Sequence, residues 1–421
     1  MSAGNTAFVL ISAALVLMMT PALAFFYGGL VRAKSVVSMM MLSFGALAVV
    51  GTLWIVYGHA IAFSSSADST FVGWNGVFGI NLGGIGLEDL FSAPVTSTGV
   101  PVLAFSAFQA TFAIITTALI SGAIADRAKF GAWLVFSALW ATFVYFPISN
   151  WVFNIVRDDQ GNIVNGGWLA TNFGLLDFAG GTVVEINSGA AALALALVLG
   201  KRVGFAKGIH KPHNVPFVLL GAGLLWFGWF GFNAGSALAA DDVATTAFVN
   251  TLAAPAAGIL GWLIVERLKD GKATSVGAAS GAVAGLVAAT PACAFLHPLW
   301  GLVMGFIAGV VCALAVELKF RLGFDDSLDV VGIHLVGGVI GTLMIGLVGV
   351  DVGLLYTGSF GQLGAQALGC LVVMVYSFGA TWIIGTVIDK TMGFRVRNED
   401  ELAGIDTILH GEEGYAMDRD Y

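Results

Sequence analysis

Charge is scarce in this chain. Of 421 residues only 10% are Asp, Glu, Lys or Arg, against roughly 25% in an ordinary globular domain, which excludes a water-soluble surface over most of its length. Cysteine is scarcer still: Cys293, Cys312 and Cys370 are odd in number and all lie in apolar stretches, so no disulfide framework is implied and they read as inert core thiols. Basic residues number 18 against 26 acidic ones, a net charge of −8, and the basic surface that nucleic-acid binding requires is missing. His59 and His297 lie near helix ends, His210 and His213 in a basic loop and His410 in the tail, with no metal-ligand spacing among them. Neither a phosphate loop nor a Ser-His-Asp order in a strand-turn-helix context is found, so nothing points to an enzyme, a metal or a cofactor. Met1 to Asn5 carry no positive charge, so the first apolar run is expected to be a real span and not a cleavable signal peptide.

What is present is apolar. Hydrophobic residues make up 58% and Gly contributes 57 positions, about twice its average share; mean hydropathy is +0.90. A spanning helix needs roughly 20 mostly apolar residues, and such stretches fall at 6–31, 38–63, 101–124, 131–153, 178–199, 214–238, 244–265, 273–294, 298–316, 328–349 and 362–388. Runs such as Ala190 to Leu199 lack the alternation of a membrane β-barrel. The expectation is an all-α integral membrane protein of eleven transmembrane helices, with residues 1–390 as the membrane domain and 391–421 as a tail.

Of the 18 basic residues only Arg157 falls in a loop that follows an even-numbered span. The positive-inside rule then places the N-terminus outside and the C-terminus in the cytoplasm, as expected for a multi-pass protein of the plasma membrane. The opposite loops carry Asp68, Glu88, Asp89, Asp158, Asp159, Asp241, Asp242 and Asp351, a negative face that would concentrate cations. Gly277, Gly281 and Gly285, and likewise Gly301, Gly305 and Gly309, recur every fourth residue as ridges for close helix packing.

Leu176-Asp177 opens the fifth apolar stretch and Leu328-Asp329 the tenth, each heading a Gly-rich helix that its Asp can cap. A repeat of five spans, an odd number, requires two copies inverted in the membrane plus a final helix, with a substrate site near the midplane between them. Two ionisable groups enter that depth. Glu185 lies roughly 12 Å from the start of its stretch and His334 roughly 8 Å from the start of its own, at about 1.5 Å per residue. A charge at such depth costs about 2.5 to 3.5 kcal/mol on insertion scales, so a coupled, proton-handling pair is expected.

Several long segments resemble the ammonium transporter (Amt/Mep/Rh) family: Ala24 to Arg32, Asp177 to Thr182, Gly228 to Ser236, Thr290 to Cys293, Asp326 to His334 and the tail from Gly404 to Glu412. The resemblance implies a homotrimer in which each subunit has a narrow hydrophobic pore for ammonium or ammonia, and a PII-type regulatory protein as a partner at the cytoplasmic face. It implies a stacked phenyl gate at Phe112 and Phe232, a recruitment site at Ser236 supported by Asp177 and the aromatic Trp229, and His334 as the second pore histidine. Two departures are visible. Glu185 stands where most members have the first pore histidine, as in one subgroup of fungal members. The recruitment tryptophan falls on Phe153, followed by an insertion over Asn154 to Asn165, with Trp151 two residues away, so either Phe153 or Trp151 completes the outer site with Phe112. A phenyl face holds a cation less well than an indole. Burying an unpaired ion is far costlier than burying its neutral form, so ammonium is expected to shed its proton beneath the gate and pass as ammonia. The alternative is an ammonium sensor that signals through the tail.

Overall fold

The computed structural model describes residues 1–93, 95–157, 163–205 and 211–415. Asp158, Asp159, Lys207, His210 and the last six residues of the tail lie outside the described residues. Among the described residues eleven helices are long and apolar enough to cross a membrane: Ala3–Leu30, Ala33–Ala62, Val102–Ile124, Phe130–Phe153, Gly181–Leu199, Val215–Gly235, Asp242–Lys269, Ser275–Ala292, Pro298–Leu322, Val331–Val348 and Gly361–Met392. They are called spans 1 to 11 below. Spans 7, 9 and 11 run several residues past their apolar stretches, because charged turns such as Glu266-Arg267-Leu268-Lys269 stay helical where the helix emerges into water.

Helix starts follow from local chemistry. The four free amides of a first turn need acceptors, and Asn214, Asp241 and Thr274 accept from Phe217, Ala244 and Gly277 at 3.0, 3.0 and 2.9 Å. The expected glycine ridges lie against span 7. A Cβ added at Gly285 or Gly305 would sit 2.5 or 2.0 Å from the Ala254 carbonyl oxygen, and one at Gly309 would sit 2.2 Å from that of Gly258. Spans 7, 8 and 9 therefore pack backbone to backbone, the arrangement that small residues permit where lipid supplies no hydrophobic drive.

Between spans the chain is not wholly helical. Strands β1 (Phe71–Trp74) and β2 (Phe78–Asn81) form one antiparallel hairpin, and β3 (Ile155–Arg157) and β4 (Ile163–Gly166) another. Asn75 of the first donates to Asn165 of the second at 2.7 Å. The second hairpin is the sequence insertion, and both stand at the end called here the hairpin face.

The opposite end, the basic face, is held by charge. Arg202 pairs with Asp325 at 2.9 Å and with Asp126 at 3.4 Å, and the buried Arg127 donates to the Ser327 hydroxyl and the Asp325 carbonyl, both at 2.6 Å. Burial pushes the Arg127 guanidinium down to about 10. Burial also opposes ionisation of Asp325, but Arg202's hydrogen bonds and charge outweigh it and hold that carboxyl below its ordinary value. The tail returns to this face. Glu401 accepts from the Val203 amide at 2.6 Å and from Arg395 at 2.7 Å, Asp406 accepts from the Val37 and Ser38 amides at 3.0 and 2.7 Å, and the Tyr415 hydroxyl lies 2.8 Å from His213 Nε2.

The start of span 10 differs from expectation. Asp326, not Asp329, caps it, accepting from the Val331 amide at 2.7 Å, while Asp329 takes a positive φ of 65° and pairs with Lys319 at 2.7 Å. The repeat register is therefore Asp177 with Asp326, Gly180 with Asp329 and Glu185 with His334. Gly180 also has a positive φ, 117°, so the third residue after each capping acid turns the chain the same left-handed way. The Leu-Asp pairs are three residues out of this register, whereas the spacing of eight residues from capping acid to buried ionisable residue is the same in both segments.

Candidate functional site

Glu185 and His334 both sit on π-helical turns, Gly181–Ile186 and Val331–Leu335, a distortion that recurs at functional positions. Asp177 fixes the first of these turns. Its Oδ1 accepts from the Gly180 and Gly181 amides at 2.8 and 2.7 Å, and its Oδ2 from the Thr182 and Val183 amides at 2.7 and 3.3 Å and from the Thr182 hydroxyl at 2.5 Å. The segment before it is fixed too: the amides of Phe178 and Ala179 donate to the Pro291 and Thr290 carbonyls at the end of span 8.

Spans 5 and 10 cross where glycine allows it. A Cβ at Gly189 would lie 2.5 Å from the Leu335 amide nitrogen, and one at Gly338 would lie 2.9 Å from Glu185 Cβ. This contact brings together two residues 149 positions apart: His334 Nδ1 lies 2.6 Å from Glu185 Oε2. Nδ1 donates if Glu185 is ionised, and accepts if Glu185 carries the proton. Glu185 is fully buried, His334 nearly so, and Glu185 Oε1 has no partner among the described residues.

A small cavity of about 10 Å³ touches this pair, otherwise walled by groups such as Met19, Leu23, Ile115, Trp229 and Phe232. That is about the space of a single water-sized molecule. The Trp229 indole is held by a 3.0 Å bond to the Thr290 hydroxyl. Phe232 closes the cavity toward the hairpin face and meets Phe112 with ring centroids 4.3 Å apart. The two rings are inclined at 43° and not stacked in parallel, since tilting relieves repulsion between their electron-rich faces. Both are almost wholly buried.

Beyond Phe112 a second cavity, about 140 Å³, faces the hairpin side and is bordered by Phe105, Gln109, Phe153, Phe178, Ser236 and Leu238. Ser236 Oγ donates to the Phe232 carbonyl at 2.8 Å, which leaves its lone pairs to accept. Of the two aromatic candidates, Phe153 borders this cavity. Trp151 turns elsewhere: its Nε1 donates to the Val77 carbonyl at 2.5 Å and its ring packs on Tyr376 and Trp168. At the basic face a wider cavity of about 320 Å³ opens beside Arg32, Asp126, Arg202, Lys319 and Asp329. Sequence reasoning missed the capping role of Asp326, although its eight-residue spacing to His334 was available, and gave Gln109, Phe105 and Phe178 no role.

Cavities on either side of a phenyl pair, the inner one ending on a buried acid and imidazole, within an eleven-span helical bundle, define a membrane transport protein for a very small polar molecule. The sequence profile of the Ammonium Transporter Family matches residues 7–415, and the chain belongs to that family. It is 53% identical to an ammonium transporter of Mycobacterium tuberculosis over 98% of this chain and 90% of that protein. Its fold is similar to that of Mep2 from Saccharomyces cerevisiae (TM-score 0.87, 33% identity, 100% of this chain and 93% of that one). It is also similar to a sensor Amt protein (TM-score 0.86, 28% identity, 97% and 98%). The activity is ammonium transport by a multi-pass membrane protein, with ammonium or ammonia as substrate, and not enzymatic turnover.

Proposed function

We propose that ammonium is recruited in the cavity formed by Ser236, Phe153 and Phe112, loses its proton beneath the Phe112 and Phe232 gate, and crosses as ammonia while the proton travels separately through Glu185 and His334. Asp177 and Trp229 hold the surrounding backbone and pore wall. The observation that carries this reading is the 2.6 Å contact of Glu185 with His334 at the end of the inner cavity, because an ammonium ion stripped of water has no other ionisable partner along that wall. The outer cavity supplies a hydroxyl oxygen and ring faces, groups that replace lost hydration of a cation. The inner one supplies apolar walls that favour the neutral form.

In this reading the basic face is cytoplasmic, the hairpin face and the N-terminus are outside, and residues 391–421 form a tail on a membrane domain of residues 1–390. Three copies assemble into a homotrimer, each with its own pore, and the basic face with its folded-back tail is where a PII-type regulatory protein would dock. Transport is favoured over signalling through the tail, because the family model covers residues 7–415 and the relative at 53% identity is an ammonium transporter.

The test is transport by purified protein in liposomes, following ammonium-evoked current across external pH. Glu185→Gln should lower the current at least tenfold and flatten its pH dependence, and Glu185→His should restore current with a different pH profile. If Glu185→Gln carried the same pH-dependent current as the parent, the proton relay would be abandoned.

A further inference from the structure

We infer that Gln109 is a substrate ligand of the outer cavity, its side-chain carbonyl oxygen accepting a hydrogen bond from ammonium before the ion meets the phenyl pair. The inference rests on the transport reading above and adds a residue to its recruitment site.

Gln109 lies in span 3 three positions before Phe112, so the two side chains share one helix face, with Gln109 about 4.5 Å nearer the hairpin side. It borders the same 140 Å³ cavity as Ser236 and Phe112. The residue is only 9% exposed, and its Oε1 is buried with no hydrogen-bond partner among the described residues. A buried amide oxygen left unpaired is a cost that a donor-bearing ligand would remove. The remaining border is apolar, formed by Phe105, Phe153, Phe178 and Leu238 beside the gate.

The side-chain polar groups that border the cavity are therefore the Ser236 hydroxyl and the Gln109 amide, each with an acceptor oxygen, with ring faces between them. Ammonium is the matching ligand, with four N–H donors and no acceptor. Neither oxygen is a full negative charge, so the ion can be held and then released as ammonia and a proton without an ion pair to break. With a phenyl ring at Phe153, the amide oxygen supplies attraction that the weaker ring face does not.

The test compares initial rates of ammonium uptake into liposomes for the parent, Gln109→Leu, Gln109→Met, Gln109→Glu and, as a reference, Ser236→Ala. A hydrogen bond to a charged group corresponds to about ten- to hundredfold in affinity. Gln109→Leu and Gln109→Met, close in volume to the parent, should raise the half-saturating ammonium concentration at least about tenfold while leaving the saturating rate within about twofold. Gln109→Glu restores an acceptor and should lower that concentration again relative to Gln109→Leu. A packing role predicts the reverse order, with Gln109→Leu close to the parent and Gln109→Glu worst, and that order overturns the inference. Met variants that fold while Leu variants do not still decide the matter by their half-saturation. A parent without any ammonium uptake overturns the transport reading and this inference with it, whereas a transporting parent matched by Gln109→Met overturns the inference alone.

Discussion

The segments Asp177 to Glu185 and Asp326 to His334 use one backbone device in two different settings. Each begins with a capping acid, turns left-handed three residues later, and carries its buried ionisable residue on a π-helical turn eight residues on. Asp177 satisfies four amides and a hydroxyl. Asp326 accepts from the Val331 amide, keeps an Oδ1 unpartnered among the described residues, and sits beside Lys319 and Asp329. Burial pushes Asp326 up to about 6, with Lys319 opposing. The hairpin-side acid is thus saturated, mostly by backbone amides, and serves rigidity, whereas the basic-side acid remains open to a change of protonation.

Three experiments test whether the two segments differ in this way. The largest effect is expected from Asp177→Ala. Hydrogen bonds to a charged group contribute about 1.5 to 3 kcal/mol each, so losing five should cost at least about 3 kcal/mol and abolish recovery of folded protein. Asp326→Ala should cost roughly half as much or less. Yield of monodisperse protein and its thermal midpoint measure both; equal losses would mean that the two caps are equivalent after all.

The next effect concerns the crossing that joins the copies. Gly189→Val places atoms where the Leu335 amide lies 2.5 Å from even a single added carbon, and overpacking of this kind costs about 1 to 3 kcal/mol. The protein should still fold, but Glu185 and His334 would part and ammonium uptake should fall by at least tenfold. Uptake at the parent's rate would show that the pair does not depend on this contact.

The smallest effect is in pH dependence. A folded-state value of about 6 for Asp326 lies above that of an unfolded carboxyl, so the folded protein holds this proton more tightly. The associated stability is fully present below about pH 4 and is lost as pH rises through about 6. Asp326→Asn keeps a capping oxygen and never ionises. Its thermal midpoint relative to the parent should therefore climb by a few degrees between about pH 4 and 6 and then level off. A difference that stays constant over that range would show that Asp326 does not titrate there.

Much of this architecture was legible residue by residue. Basic residues Arg32, Lys34, Arg127 and Lys129 mark span ends because charge does not stay in lipid. The four-residue glycine spacing in spans 8 and 9 marked a packing face because only small side chains let backbones touch. Glu185 and His334 stood out because ionisable residues at that depth are rare. The capping acid of span 10 was misread, since two acids three residues apart can each head a helix and only the three-dimensional path chooses. The resemblance put the tryptophan position on Phe153 with Trp151 two residues away, and a span with a π-helical turn at Ala141–Tyr145 and a hairpin after it does not announce which of the two borders the cavity.

The eleven spans, the sidedness of charge and the identity of the two buried ionisable residues are legible without a structure, because hydropathy and charge act locally along a chain in a bilayer. Only the packing of distant segments shows that Glu185 and His334 touch, that Asp326 caps where Asp329 pairs with Lys319, that Phe153 and not Trp151 borders the cavity beyond Phe112, and that Gln109 borders it with an oxygen unpaired among the described residues. Those outcomes depend on how helices distant in sequence cross at Gly189 and Gly338, and on which polar atoms the crossings leave without partners. No local rule contains either.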